Sequence, residues 1–177
     1  MRYILKFTGQ PARFWSMLYM IPFYLLLYLV YVELIIKLLL ICNLWHSTWE
    51  MINWRSIPSY ALAISAATEE AYFRLFPFCF FLSLSFDKKL GFADIEKRII
   101  LLIVVFGSSI IFARAHGEAL GNFLIQGCGG ILIFFIFLKY GGYAYIETQK
   151  ESYLAKAFLI ASLYHFLYNL IAIKIHA

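Results

Sequence analysis

Apolar positions fill long uninterrupted stretches of this chain, with no two-residue alternation and little helical periodicity. Runs of about 20 or more such residues recur, and a helix rising 1.5 Å per residue crosses a hydrocarbon core of about 30 Å with that many. Five spans are predicted, roughly at 18–45, 57–86, 98–116, 120–139 and 154–175. They define an all-α fold, a polytopic transmembrane helical bundle forming one integral-membrane domain over 1–177. Pro22 allows the first span to begin later, with 14–20 as an interfacial turn. The second span is too long for a straight crossing and contains Pro77, which predicts a tilt or kink. No repeat, linker or second domain interrupts the pattern.

Composition agrees with the pattern. Hydrophobic residues make up 63% of the chain and charged ones only 14%, against about 25% charged in soluble domains. The net charge of +5 is scattered between the apolar runs and forms no basic stripe, which argues against a nucleic-acid partner. It reads instead as a topology signal. Ten Lys and Arg residues lie in the N-terminal tail and the segments 87–98 and 139–156, with Arg55, Arg114 and Lys174 on the other side. That asymmetry predicts a cytoplasmic N-terminus and an external C-terminus. Trp45, Trp49 and Trp54 cluster where an interfacial aromatic belt belongs. Cys42, Cys79 and Cys128 show no C-x-x-C spacing and read as packing residues, with no disulfide or zinc framework. The first apolar run is too long for a signal peptide and no small-residue cleavage site follows it, so it is expected to be a retained helix.

Against this background a few polar residues stand out within the spans: Glu69, Glu70, Arg74, His116, His165 and Asn169, with Glu33 and Lys37 as an i,i+4 pair in the first. Each ionisable group near the bilayer centre costs about 2.5–3.5 kcal/mol on insertion scales, so a cluster must face the bundle interior and find partners. Glu70 and Arg74 are i,i+4 with the acid first, the favourable order for a helical ion pair. Glu69, about 100° round the helix, is left free of that pair. His165 and Asn169 share one face of the last span, and Phe112 and His116 repeat the spacing on the third. Converging in one cavity, a carboxylate, two imidazoles and an amide can activate water and stabilise an oxyanion. The plainer alternative is a structural ion-pair cluster, with Phe112 more naturally packing than chemistry. Gly121, Gly127, Gly129 and Gly130, with Ser108, Ser109 and Ala113, read as small residues that let helices approach.

The three motifs, E-E-x-x-x-R at Glu69–Arg74, F-x-x-x-H at Phe112–His116 and H-x-x-x-N at His165–Asn169, resemble the CAAX protease and bacteriocin-processing family of glutamic-type intramembrane endopeptidases. The Gly-rich stretch "GNFLIQGCGGILIFF" between the second and third motifs is similar too, and the likeness covers about 57–175. It implies that Glu69 and His116 bind and activate the attacking water, that His165 and Asn169 stabilise the oxyanion, and that Glu70 and Arg74 orient the site. It implies a membrane-anchored protein or sorting-signal peptide as substrate, and a metal-free mechanism with no cofactor. His116-Gly117-Glu118 is an H-x-E, but no H-E-x-x-H accompanies it. In size the chain is similar to compact prokaryotic members, including myxosortase-like enzymes, which implies a bacterial inner membrane. The alternative is a non-catalytic bacteriocin-immunity or scaffold protein of the same fold, or a small transporter.

Overall fold

The computed structural model describes residues 14–44, 57–86, 90–117 and 120–176. Among them every regular element is helical. The helices are α1 (Phe14–Ile41), α2 (residues 59–85), α3 (Asp94–Ala115), α4 (Leu120–Thr148) and α5 (Glu151–His176). The segments expected to carry the Trp cluster and most of the basic tail lie outside the described residues.

Four helices have the length and apolar composition to cross a membrane: Tyr19–Ile41, Asp94–Ala115, Leu120–Thr148 and Glu151–Ile173. The chain is a multi-pass helical membrane protein on that evidence. Helix α2 is as long, but Glu69, Glu70 and Arg74 sit at its middle. Side chains such as Leu26, Ile103, Ile111 and Leu159 are exposed on the outer faces, where a bilayer, and not water, is the solvent that accepts them.

Helix α4 is the hub. In its most apolar stretch 61% is buried, against 22%, 28% and 33% for the other three spans, because α1, α3 and α5 all pack on it. Small residues make that possible. A methyl group on Gly130 would press on Ser109 and Phe112 of α3, and Gly127 faces Ala113, the close approach that replaces hydrophobic driving force between helices in lipid. At the inner turn of the α4–α5 hairpin, a Cβ on Gly141 would collide with the Tyr153 carbonyl and lie 2.9 Å from the Ala157 methyl.

Helix ends depart from expectation in three places. Pro22 lies inside α1, so residues 14–20 continue the helix and form no separate turn. Helix α3 starts at Asp94, where the Glu96 carboxylate accepts the Ala93 N–H at 2.7 Å, an N-terminal clasp that suits the helix dipole. Helix α4 runs on to Thr148 and does not stop at residue 139. Lys139 lies within it, its ammonium held by Tyr24 Oη at 2.9 Å. The helix ends at Gln149 in a left-handed conformation, φ 55°.

The irregularity expected at Pro77 is a π-turn. Residues Ala71–Leu75 form it, and the Phe76 amide donates to the Ala71 carbonyl. Pro77 has no N–H and its ring crowds the carbonyl four residues back. The wider turn just before it accommodates that misfit.

Candidate active site

The polar residues gather where α2, α3 and α5 meet. Helix α2 divides its contacts at the π-turn: the Ser59–Glu70 half packs on α5, and the Phe76–Ser85 half packs on α3. Glu69 and Glu70 end the first half and Arg74 lies in the turn itself, so the three charges stand at the fork between both neighbours.

Glu70 and Arg74 are fully interior, 0% and 1% exposed, with Arg74 Nε 3.3 Å from Glu70 Oε2. The other carboxylate oxygen, Oε1, meets His165 Nδ1 at 2.8 Å. Below them lies Phe112, 1% exposed. The Arg74 guanidinium is 4.4 Å from its ring centroid, and Phe73, His116 and His165 approach its edges and face at 5.2, 4.5 and 5.8 Å. A guanidinium tolerates such a place because a carboxylate and a π face both compensate its charge.

Glu69 is treated differently. It is 23% exposed, and its Oε2 lies 3.6 Å from His116 Nε2 and 3.7 Å from His165 Nε2. That oxygen is buried and has no hydrogen-bond partner within the protein. The opposite nitrogens fix the imidazoles. His116 Nδ1 is 2.8 Å from the Phe112 carbonyl, which can only accept, so Nδ1 carries the proton. His165 Nδ1 donates in the same way to Glu70. In their neutral forms both rings therefore present an Nε2 lone pair toward Glu69. In that state three acceptors converge on one point.

His116 is held from its backbone side as well. It closes α3, its carbonyl accepts Asn122 Nδ2–H at 2.9 Å, and the next residue, Gly117, has φ +126°. A side chain at Gly117 would be strained there and its Cβ would fall 2.6 Å from Asn122 Nδ2. Asn122, in the first turn of α4, thus clasps the α3–α4 corner that carries His116.

Of the residues singled out from sequence, Glu69, Glu70, Arg74, His116 and His165 are brought together. Asn169 sits one turn beyond His165 on α5, half-buried, and no hydrogen bond joins it to the cluster among the described residues. His165 lies beside Glu69 as a counterpart of His116, where the family likeness paired it with Asn169. Ser65, which donates to Glu69 Oε1 at 2.9 Å, was missed, although the i,i+4 rule that paired Glu70 with Arg74 reaches it. Asn122 was missed too, its one signal being an amide in an apolar run. Glu118 lies outside the described residues. Among the described residues no group of three or more His, Cys, Asp or Glu forms a metal-holding cluster. Comparison with family models, with curated proteins and with solved structures returns no match.

Proposed function

We propose that this protein is an intramembrane endopeptidase of the glutamic type, hydrolysing a peptide bond of a membrane-anchored protein or sorting-signal substrate. The observation that carries the reading is the convergence of Glu69 Oε2 with two imidazole Nε2 atoms at 3.6 and 3.7 Å. Those separations exceed a direct hydrogen bond and suit a water bridging the groups. Such a water donates to Glu69 and to one imidazole, with its oxygen lone pairs turned to a substrate carbonyl. Glu69 takes its proton as the C–O bond forms, a tetrahedral oxyanion results, and the proton passes through the site to the leaving amine as the C–N bond breaks. An imidazole carrying a proton at Nε2 donates to the oxyanion, and Asn169, one turn from His165, adds its amide from the substrate side. Glu70, paired with Arg74, accepts from His165 Nδ1 and so leaves Nε2 as the nitrogen that takes up a proton during the reaction and turns it to the oxyanion. All groups come from the chain, so the reaction is assigned no metal or cofactor.

The same reading sets the protein in a bacterial inner membrane, N-terminus in the cytoplasm, with the cluster toward the outer half. The membrane is what the family resemblance implies, and the orientation rests on the skewed distribution of Lys and Arg under the positive-inside tendency.

The test is a cleavage assay in lipid, with membrane proteins of the source cell offered as substrates to wild type, Glu69→Ala and His165→Ala, all shown to insert and fold alike. A product formed by wild type alone supports proteolysis, and its new terminus identifies the bond. Identical patterns from all three, or protection and transport functions that survive both substitutions, sink it in favour of a non-catalytic immunity or scaffold protein or a transporter. Strong chelation is expected to leave activity intact.

A further inference from the structure

The two oxygens of Glu69 have unlike surroundings. Oε2 faces the imidazoles and has no hydrogen-bond partner within the protein. Oε1 accepts the Ser65 hydroxyl proton at 2.9 Å, from one turn earlier on α2. A serine inside a helix ordinarily turns its hydroxyl back on a carbonyl of the preceding turn, where an acceptor is always in reach. Ser83, Ser108 and Ser109 do so, on Phe80 and Val105 carbonyls, at 2.7–3.2 Å, while Ser85 and Ser162 make no hydrogen bond within the protein. Ser65 is in the same kind of position and takes the carboxylate instead.

We infer that Ser65 is a positioning residue for Glu69, fixing the plane of its carboxylate so that one oxygen stays aimed at the imidazoles. The inference rests on the proteolytic reading above. A carboxylate turns easily about its last bond, and a quarter-turn takes both oxygens out of line with the imidazoles. Pinning one oxygen resists that turn and keeps the unpartnered oxygen aimed between His116 and His165. The groups facing Glu69 are His116 from α3, His165 from α5 and Ser65 from its own helix, while Glu70 and Arg74 are engaged with one another. An imidazole donates to Glu69 only when protonated at Nε2. The serine hydroxyl donates in every protonation state, so it alone gives the carboxylate a fixed orientation through a cycle in which protons move.

The test is infrared spectroscopy of the protein in lipid, comparing wild type, Ser65→Ala and Ser65→Thr, with the Glu69 bands isolated by subtracting Glu69→Gln. A carboxylate hydrogen-bonded at one oxygen has unequal C–O bonds and well-separated antisymmetric and symmetric stretches. Ser65→Ala is expected to narrow that separation and Ser65→Thr to restore it. In the cleavage assay above, kcat falls about 10-fold in the alanine variant with KM nearly unchanged, and threonine returns most of it. Ser65 is exposed, so losing its hydroxyl opens no cavity in the core. Unchanged Glu69 bands in Ser65→Ala overturn the inference whatever the activity. Bands that respond while no variant, wild type included, cleaves anything support the pinning of Oε1 and remove the proteolytic reading. An ester on Ser65 during turnover, with both variants inactive, makes the serine a nucleophile and overturns both.

Discussion

Two polar clusters lie inside this bundle, and they are built on opposite principles. One joins α1 to α4 and α5. Lys139 donates to Tyr24 Oη at 2.9 Å and lies over the Tyr24 and Tyr140 rings. Tyr164 donates to the Tyr24 carbonyl, Tyr28 to the Ile125 carbonyl and Tyr31 to the Leu124 carbonyl. Four donors there each meet an acceptor on a helix far away in sequence, and the Tyr140 hydroxyl alone of the groups named is buried without one. In the other, around Glu69, a carboxylate oxygen and two imidazole Nε2 atoms face each other at 3.6 and 3.7 Å with no hydrogen bond joining them, and with both rings neutral they are three acceptors. A polar group in a membrane is a functional suspect by default. Partner accounting separates the suspects: matched groups tie helices together, and surplus acceptors point to something that brings its own protons.

Substitution at Glu69 tests the contrast most sharply. Glu69→Gln keeps size and the ability to accept from Ser65 but removes the base. Cleavage is expected to fall roughly 1000-fold, while the midpoint of thermal unfolding in detergent stays near that of wild type. An equal loss of stability would make the cluster a structural tie like its counterpart.

Phe112 is expected to show the next largest effect, on stability. Its ring packs against Phe73, His116 and His165 and carries the Arg74 charge. Phe112→Ala leaves a cavity beneath a buried guanidinium, for a loss of about 3 kcal/mol or more by denaturant unfolding. Phe112→Leu should recover most of the packing and little of the cation–π contact. If both variants are as stable as wild type, the ring is not the floor of the site.

Much of this was legible in the chain because one signal dominates it. Apolar runs long enough to cross a bilayer gave five helices, each present within a few residues except where a charge was taken for a boundary. Lys139 misled there because partnering by Tyr24, 115 residues away, is invisible to local pattern. The pairing of Glu70 with Arg74 was readable from i,i+4 spacing, since both lie on one helix. Whatever depends on how helices rotate against each other was not. Spacing could place His165 and Asn169 on one face, but only packing decides that His165 reaches Glu69 and Glu70 while Asn169 makes no bond to them. The π-turn before Pro77 was foreseeable as a misfit and not as a form.

On the matched side, Tyr28→Phe should cost about 1 kcal/mol. It removes a single hydroxyl-to-carbonyl bond, 2.6 Å long, and hydrogen bonds between membrane helices average less than 1 kcal/mol with a ceiling near 2. The Ile125 carbonyl also accepts the Cys128 N–H at the end of the π-turn Phe123–Gly127, so it keeps a partner, and the substitution keeps the ring against Tyr168 at 4.8 Å. Activity should stay within about two-fold of wild type, since no acceptor near Glu69 is touched. A large loss of cleavage with little loss of stability would extend the functional cluster across α1.

The smallest effect belongs to Lys139, which the sequence pattern placed at the end of a span and the structure places within α4. Lys139→Met keeps the long apolar stem that covers Tyr24 and removes the charge. An unpaired ammonium in a bilayer would be expensive, so its removal alone would stabilise; losing its contacts with two tyrosine rings and one hydroxyl works the other way by a similar amount. The two terms nearly cancel, and the net change should fall within about 1 kcal/mol of zero. Arg74→Met is the control. It leaves Glu70 as a buried carboxylate without its cation, and breaking one partner of such a pair costs about 3–5 kcal/mol where water is excluded. Equilibrium unfolding of the two variants side by side measures the difference directly. If Lys139→Met is as damaging as Arg74→Met, donor matching does not neutralise a charge in this bundle, and the distinction between the two clusters collapses.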